Sequence, residues 1–171
     1  MANLTEEQFI KRDRLRYTKN TASANLALLA IVFDVLFFVS IYKSNMGNYY
    51  YTLMMGISVV YNLIFMLAAF LVSEGSKNYL VQYSYLMIAI GLGQFIRIFI
   101  IPMHAHTAMI DIGDNNMVLV MGDAQFTRGV FYLAASGICC LASAVIGIIK
   151  CGQLKSHLST LVEKTNSEIT S

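Results

Sequence analysis

YSYLMIAIGLGQFIRIFIIP, residues 83–102, decides how this chain is read. The stretch is almost wholly apolar, and its length matches the ~20 residues an α-helix needs to cross a hydrocarbon core of ~30 Å. Within it stand Gln94 and Arg97. Lipid accepts such side chains only at a cost unless neighbouring helices enclose them, so the stretch calls for company.

The company is in the rest of the chain. Residues 24–42, 50–72 and 129–149 form three further apolar windows beside 83–101. Over 171 residues, apolar types make up 57% and charged types 13%, against the ~45–50% apolar content of ordinary soluble domains. Mean hydropathy is +0.60. The windows are continuously apolar and do not alternate with polar residues, which excludes the strands of a transmembrane barrel and leaves helices. The expected fold is an all-α membrane protein, a four-transmembrane-helix bundle. Pro102, the single proline, stands where the third span is expected to end. The first window is longer than the apolar region of a secretory leader and no small-residue cleavage site follows it, so it reads as an uncleaved span.

Basic residues set the expected orientation. Lys11, Arg12, Arg14, Arg16, Lys19, Lys77, Lys150, Lys155 and Lys164 fall on one side, and only Lys43 and Arg128 on the other. The positive-inside bias therefore places both termini in the cytoplasm of a multi-pass cell-membrane protein. Residues 1–22 read as a basic cytoplasmic helix, opened by a capping box of Thr5 and Gln8 with Leu4 and Phe9 as a staple. Its basic side chains suit anionic lipid headgroups and not nucleic acid. Residues 23–150 form the membrane domain, with a long outer connection at 102–128, and residues 151–171 a cytoplasmic helix and tail. A stripe of Leu154, Leu158 and Leu161 continues the helix past Lys150, and Thr165 onward reads as a disordered polar tail. Gly75 is available to end the second helix. Cys139 and Cys140 lie inside the fourth span and Cys151 just beyond it, with no spacing that marks a disulfide or metal motif.

Four polar residues compose a candidate intramembrane site: Asp34, Asn62, Gln94 and Arg97. Asp34 lies on a face with Ala27 and Ala30, where another helix can approach closely. Ala89, Gly93 and Arg97 follow at four-residue steps, with Gln94 three residues before Arg97. The first and third spans run the same way, and the depths of Asp34 and Arg97 allow an ion pair between them. The competing arrangement has Arg97 reaching alone to the interface and Asp34 bonded to Asn62. Asn62 is expected to hydrogen-bond across helices in either case.

The fourth span carries Ala135, Cys139, Ser143 and Gly147 at four-residue spacing, a ridge of small residues suited to close packing, inward in the bundle or outward toward another protein. In the outer connection, His104 and His106 are two apart and Asp111 follows. On an extended strand both imidazoles would point one way and could meet a metal with the carboxylate, although no recognised ligand pattern is present. Asp114, Asn115 and Asn116 read as a turn, and residues 117–121 as a strand-like piece or a segment across the bundle top.

No catalytic, nucleotide-binding or cofactor signature occurs, so no catalytic residue and no cofactor is assigned. The reading that follows is a non-catalytic accessory or scaffold subunit of a membrane complex, with another membrane protein or a second copy as partner. The alternative is a transporter or channel component built on the four polar residues. A membrane enzyme using His104 and His106 is the weakest of the three.

Overall fold

The computed structural model describes residues 20–42, 49–111 and 117–170. Residues 1–19 of the basic helix expected over 1–22, the first connection at 43–48 and the turn at 114–116 lie outside them, and Thr21 and Ala22 already belong to the first described helix. Four described stretches are long and apolar enough to cross a membrane: Thr21–Ile41, Leu53–Lys77, Val81–Thr107 and Asp123–Thr160.

Helix α1 (Thr21–Tyr42) starts from Asn20, whose side-chain Oδ1 accepts a hydrogen bond from the Ser23 amide at 3.4 Å, the ordinary way of meeting an orphan N–H. Its buried stripe is Ser23, Ala27, Ala30, Asp34, Phe37 and Ile41, while Val32, Leu36 and Val39 face outward. Steps of four and three keep the stripe on one side. The arrangement inverts that of a water-soluble helix, because lipid receives the bulky apolar groups and small residues let the partner helices close in.

Helix α2 (Tyr49–Lys77) does not end at Gly75. It runs on to Lys77, and the left-handed residue of the turn is Tyr79, at φ 57°. The glycine serves close approach instead, since a β-carbon there would collide with the ring of Tyr83 on the next helix. Helix α3 (Val81–Ile98) stops short of the expected end of its span at residue 101, but helical backbone continues past it in other forms. Pro102 sits within a π-helical turn, Phe99–Met103, that leads into α4 (His104–Thr107). A proline ring clashes with the carbonyl four residues back and removes an amide donor. The wider turn accommodates both, so the helix swells at the proline and does not stop there.

Strands β1 (Met109–Asp111) and β2 (Met117–Leu119) pair antiparallel, with Met109 opposite Leu119 and Asp111 opposite Met117. The strand-like reading of this stretch therefore describes it better than a segment lying across the bundle. Val120 and Met121 then turn inward and are buried, whereas Met109, Met117 and Leu119 stay exposed. Helix α5 (Asp123–Thr170) is 48 residues long, about 72 Å at 1.5 Å per residue and more than twice a hydrocarbon core. It begins before the window at 129–149 and remains helical through Thr170, where a disordered tail from Thr165 was expected. Gln125 Nε2 donates to the Ser40 carbonyl at 2.6 Å and so occupies one of the free carbonyls at the end of α1.

In cross-section α5 packs on α1 and α3, and α2 packs on the same two helices, so α1 and α3 stand diagonally across the bundle. The α1–α5 seam is fastened by hydroxyls. Ser23 Oγ donates to the Ser143 carbonyl at 2.8 Å and Ser143 Oγ to the Ser23 carbonyl at 2.7 Å. Ser136 Oγ donates to the Ala30 carbonyl at 3.0 Å. Ser143→Ala is expected to lower stability by about 0.6–2 kcal/mol, the range of interhelical hydrogen bonds in membranes, in a thermal melt of the detergent-solubilised protein.

Two apolar clusters fill the interior. One joins Ala27, Ala30, Phe65, Ala69, Val72, Met87, Cys140 and Ala144 toward the terminal end of the bundle. The other joins Phe37, Ile41, Ala105, Val120, Met121 and Leu133 at the hairpin end. Asp34 stands between Ala30 and Phe37 on α1, and hence between the two clusters.

Candidate functional site

Arg97 reaches across the bundle from α3. Its Nη1 donates to Asp34 Oδ1 on α1 at 2.8 Å, and its Nη2 donates to Ser58 Oγ on α2 at 2.6 Å. Gln94 Nε2, one turn earlier on α3, donates to the same Asp34 oxygen at 3.1 Å. The guanidinium is held between two rings, with its central carbon 4.6 Å from the centroid of Phe37 and 4.8 Å from that of Tyr61. Asp34 and Gln94 are fully buried and Arg97 is 4% exposed. The arginine thus spends its charge inside the bundle, and the lone reach to the interface does not occur.

Local sequence explains the assembly. Phe37 follows Asp34 by three residues and Ser58 precedes Asn62 by four, so each pair shares a helix face. The planar fork of Arg97 can meet a carboxylate and a hydroxyl at once, and its flat faces suit aromatic rings. A charged group at the centre of a bilayer costs about 2.5–3.5 kcal/mol on insertion scales. Mutual neutralisation of Asp34 and Arg97 removes most of that cost, and the rings replace lipid around the guanidinium.

Asn62 departs from expectation. It is buried on α2, one turn beyond Ser58, yet neither Oδ1 nor Nδ2 has a hydrogen-bond partner. The face of α3 also differs from the one expected. Ala89 is exposed, and the buried stripe is Ser84, Met87, Gly91, Gln94 and Arg97. Gly93 lies instead beside the Tyr61 hydroxyl. Sequence reasoning passed over Ser58, Phe37 and Tyr61 as partners of the arginine. The signal for Ser58 and Phe37 was their helical spacing from Asn62 and Asp34, and Tyr61 in turn follows Ser58 by three residues.

Along α5, Ser143 and Gly147 are buried against α1 and α3, while Ala135 and Cys139 are half-buried. The fully enclosed line is Leu133, Ser136, Gly137, Cys140, Ser143, Ala144 and Gly147. The ridge expected at strict four-residue steps drifts around the helix, and the contact follows three- and four-residue steps.

His104 and His106 fall on the helical turn of α4 and not on a strand, so the two imidazoles diverge. His104 is exposed. His106 stacks on Phe126 with ring centroids 4.4 Å apart, its Nδ1 lies 3.3 Å from the Met121 carbonyl, and its Nε2 lies 3.7 Å from Asp123 Oδ1. The ring therefore braces the hairpin against the start of α5. The Asp111 side chain lies outside the described residues. Among the described residues no group of three histidine, cysteine or acidic side chains is placed to hold a metal.

No known protein family, curated protein or solved structure matches this chain. The functional reading consequently rests on the geometry of the Asp34–Arg97 centre and its surroundings.

Proposed function

We propose that the chain is a non-catalytic component of a membrane complex, a small scaffold inserted with both termini in the cytoplasm and associated with another membrane protein or a second copy of itself. The observation that carries this reading is the enclosure of the polar centre. Asp34 and Arg97 neutralise each other, and apolar clusters lie on either side of them along the bundle. A solute path would need charged or freely bonding groups continued toward both ends; among the described residues Asp34 and Arg97 are the only buried charges, and at the terminal end Ser23 and Ser143 spend their hydroxyls on each other's carbonyls. The lysine and arginine distribution supports the orientation, and the basic residues ahead of α1 suit anionic headgroups. The length of α5 beyond the hydrocarbon provides a projecting rod for a partner at the terminal end.

Liposomes containing the purified chain alone test the proposal. The expected result is a leak of protons and small anions no greater than that of empty liposomes, together with a stoichiometric oligomer or partner after cross-linking in the native membrane. A flux that Arg97→Gln abolishes would establish the transporter or channel reading instead. A reporter fused after Ser171 that is active only in the cytoplasm checks the orientation.

A further inference from the structure

The polar centre leaves part of its hydrogen-bonding capacity unused. Asp34 Oδ2, Gln94 Oε1, Asn62 Oδ1, Asn62 Nδ2 and Arg97 Nε are buried side-chain atoms without a hydrogen-bond partner. Unmet polar atoms are costly in a protein interior and more so at membrane depth. Asp34 Oδ2 and Gln94 Oε1 belong to side chains already joined by the 3.1 Å bond, and Arg97 Nε belongs to the guanidinium that binds Asp34. Asn62 follows Ser58, which also binds that guanidinium, by one helical turn.

The inventory narrows what can complete the site. The centre already balances one negative against one positive charge, so an anion would meet the free carboxylate oxygen and a cation would meet the guanidinium. A cation could use the three free oxygens but would leave the Arg97 and Asn62 donors unmet. The missing partner must therefore be neutral, small, and both donor and acceptor. Water has two protons and two lone pairs, and buried waters typically make about three hydrogen bonds to groups of this kind.

We propose that the bundle carries an internal water site, at least one water molecule bridging the free atoms of Asp34, Gln94, Asn62 and Arg97. Apolar clusters lie on either side of it along the bundle. The inference stands on the polar inventory and is independent of whether the chain is a scaffold.

The test is magnetisation transfer from water to nitrogen-15-labelled protein in lipid bilayers, read by solid-state NMR, with Asn62→Leu as the companion variant. Transfer is expected at the Asn62 side-chain amide and at Arg97 Nε. In Asn62→Leu the Arg97 Nε transfer is expected to weaken at least twofold and the melting temperature to fall by roughly 2–10 °C. A wild-type protein whose two groups receive no transfer, while exposed Lys155 does, overturns the proposal. So does an Asn62→Leu variant that melts higher than wild type, because a dry orphan amide would be relieved by leucine. A melting temperature raised by sodium chloride but not by choline chloride would overturn it in favour of a cation site.

Discussion

Asp34→Asn and Arg97→Gln should each lower the melting temperature of the detergent-solubilised protein by roughly 6–20 °C, and the double variant should regain most of that loss. Each single change leaves one buried charge without its partner, a defect that costs about 3–5 kcal/mol, and a protein of this size loses about 2–4 °C per kcal/mol. The 2.8 Å bond between Arg97 Nη1 and Asp34 Oδ1 is the contact removed. Asparagine keeps the shape of the acid, so the loss reports charge and not a cavity. With both charges gone, the neutral amides can share hydrogen bonds with Gln94 and Ser58, and the penalty of an unpaired ion disappears. The double-mutant cycle should return a coupling of at least about 1 kcal/mol. Additive losses would mean that the two residues act separately, and the Asp34–Arg97 ion pair would then have no energetic standing.

Gly91→Val should do comparable damage by a different route. A β-carbon at Gly91 would stand 3.0 Å from the Cys140 β-carbon and 3.4 Å from the Gly137 carbonyl oxygen. Two methyl groups beyond that point drive into the backbone of α5, which cannot swing aside as a flexible side chain would. Overpacking of this kind costs typically 1–3 kcal/mol and sometimes more, and Gln94 lies one turn away, so displacement of α3 also disturbs its bond to Asp34. A loss of roughly 2–12 °C is expected, with a broadened gel-filtration peak. Gly56→Val is the control, because nothing lies within 4 Å of a β-carbon there. If both variants melt together with the wild type, α3 and α5 are not in the close contact on which the bundle depends.

Much of the fold was legible in the sequence because a bilayer imposes a length and a polarity that few other environments require. Four apolar runs implied four spanning helices, and Asp34 with Arg97 stood out because intramembrane charge is so expensive. Helix ends were harder to read. Nothing in composition signals that Pro102 will be taken up by a π turn, or that α5 starts at Asp123 and holds to Thr170. The face of α3 was ambiguous for a geometric reason: at about 100° per residue Arg97 projects about 40° from Gly93 and about 60° from Gln94, between two glycine faces. Only the presence of α5 selects the Gly91 side. The strand assumed at His104 and His106 is instead a helical turn, and residues two apart align on a strand but diverge on a helical turn.

The hydroxyl contacts between α1 and α5 fix more than proximity. Helix faces built from alanine, glycine and serine are nearly smooth, and two such rods could slide by a turn, about 5.4 Å, with little change in van der Waals contact. The bonded positions are 23 and 30 on α1 and 136 and 143 on α5, seven residues apart on each. All three bonds close at one alignment, and a one-turn slip of α1 along its neighbours breaks them while it also parts Asp34 from Arg97. The serines and the ion pair together act as a vernier, selecting a single register among helices whose surfaces would otherwise tolerate several.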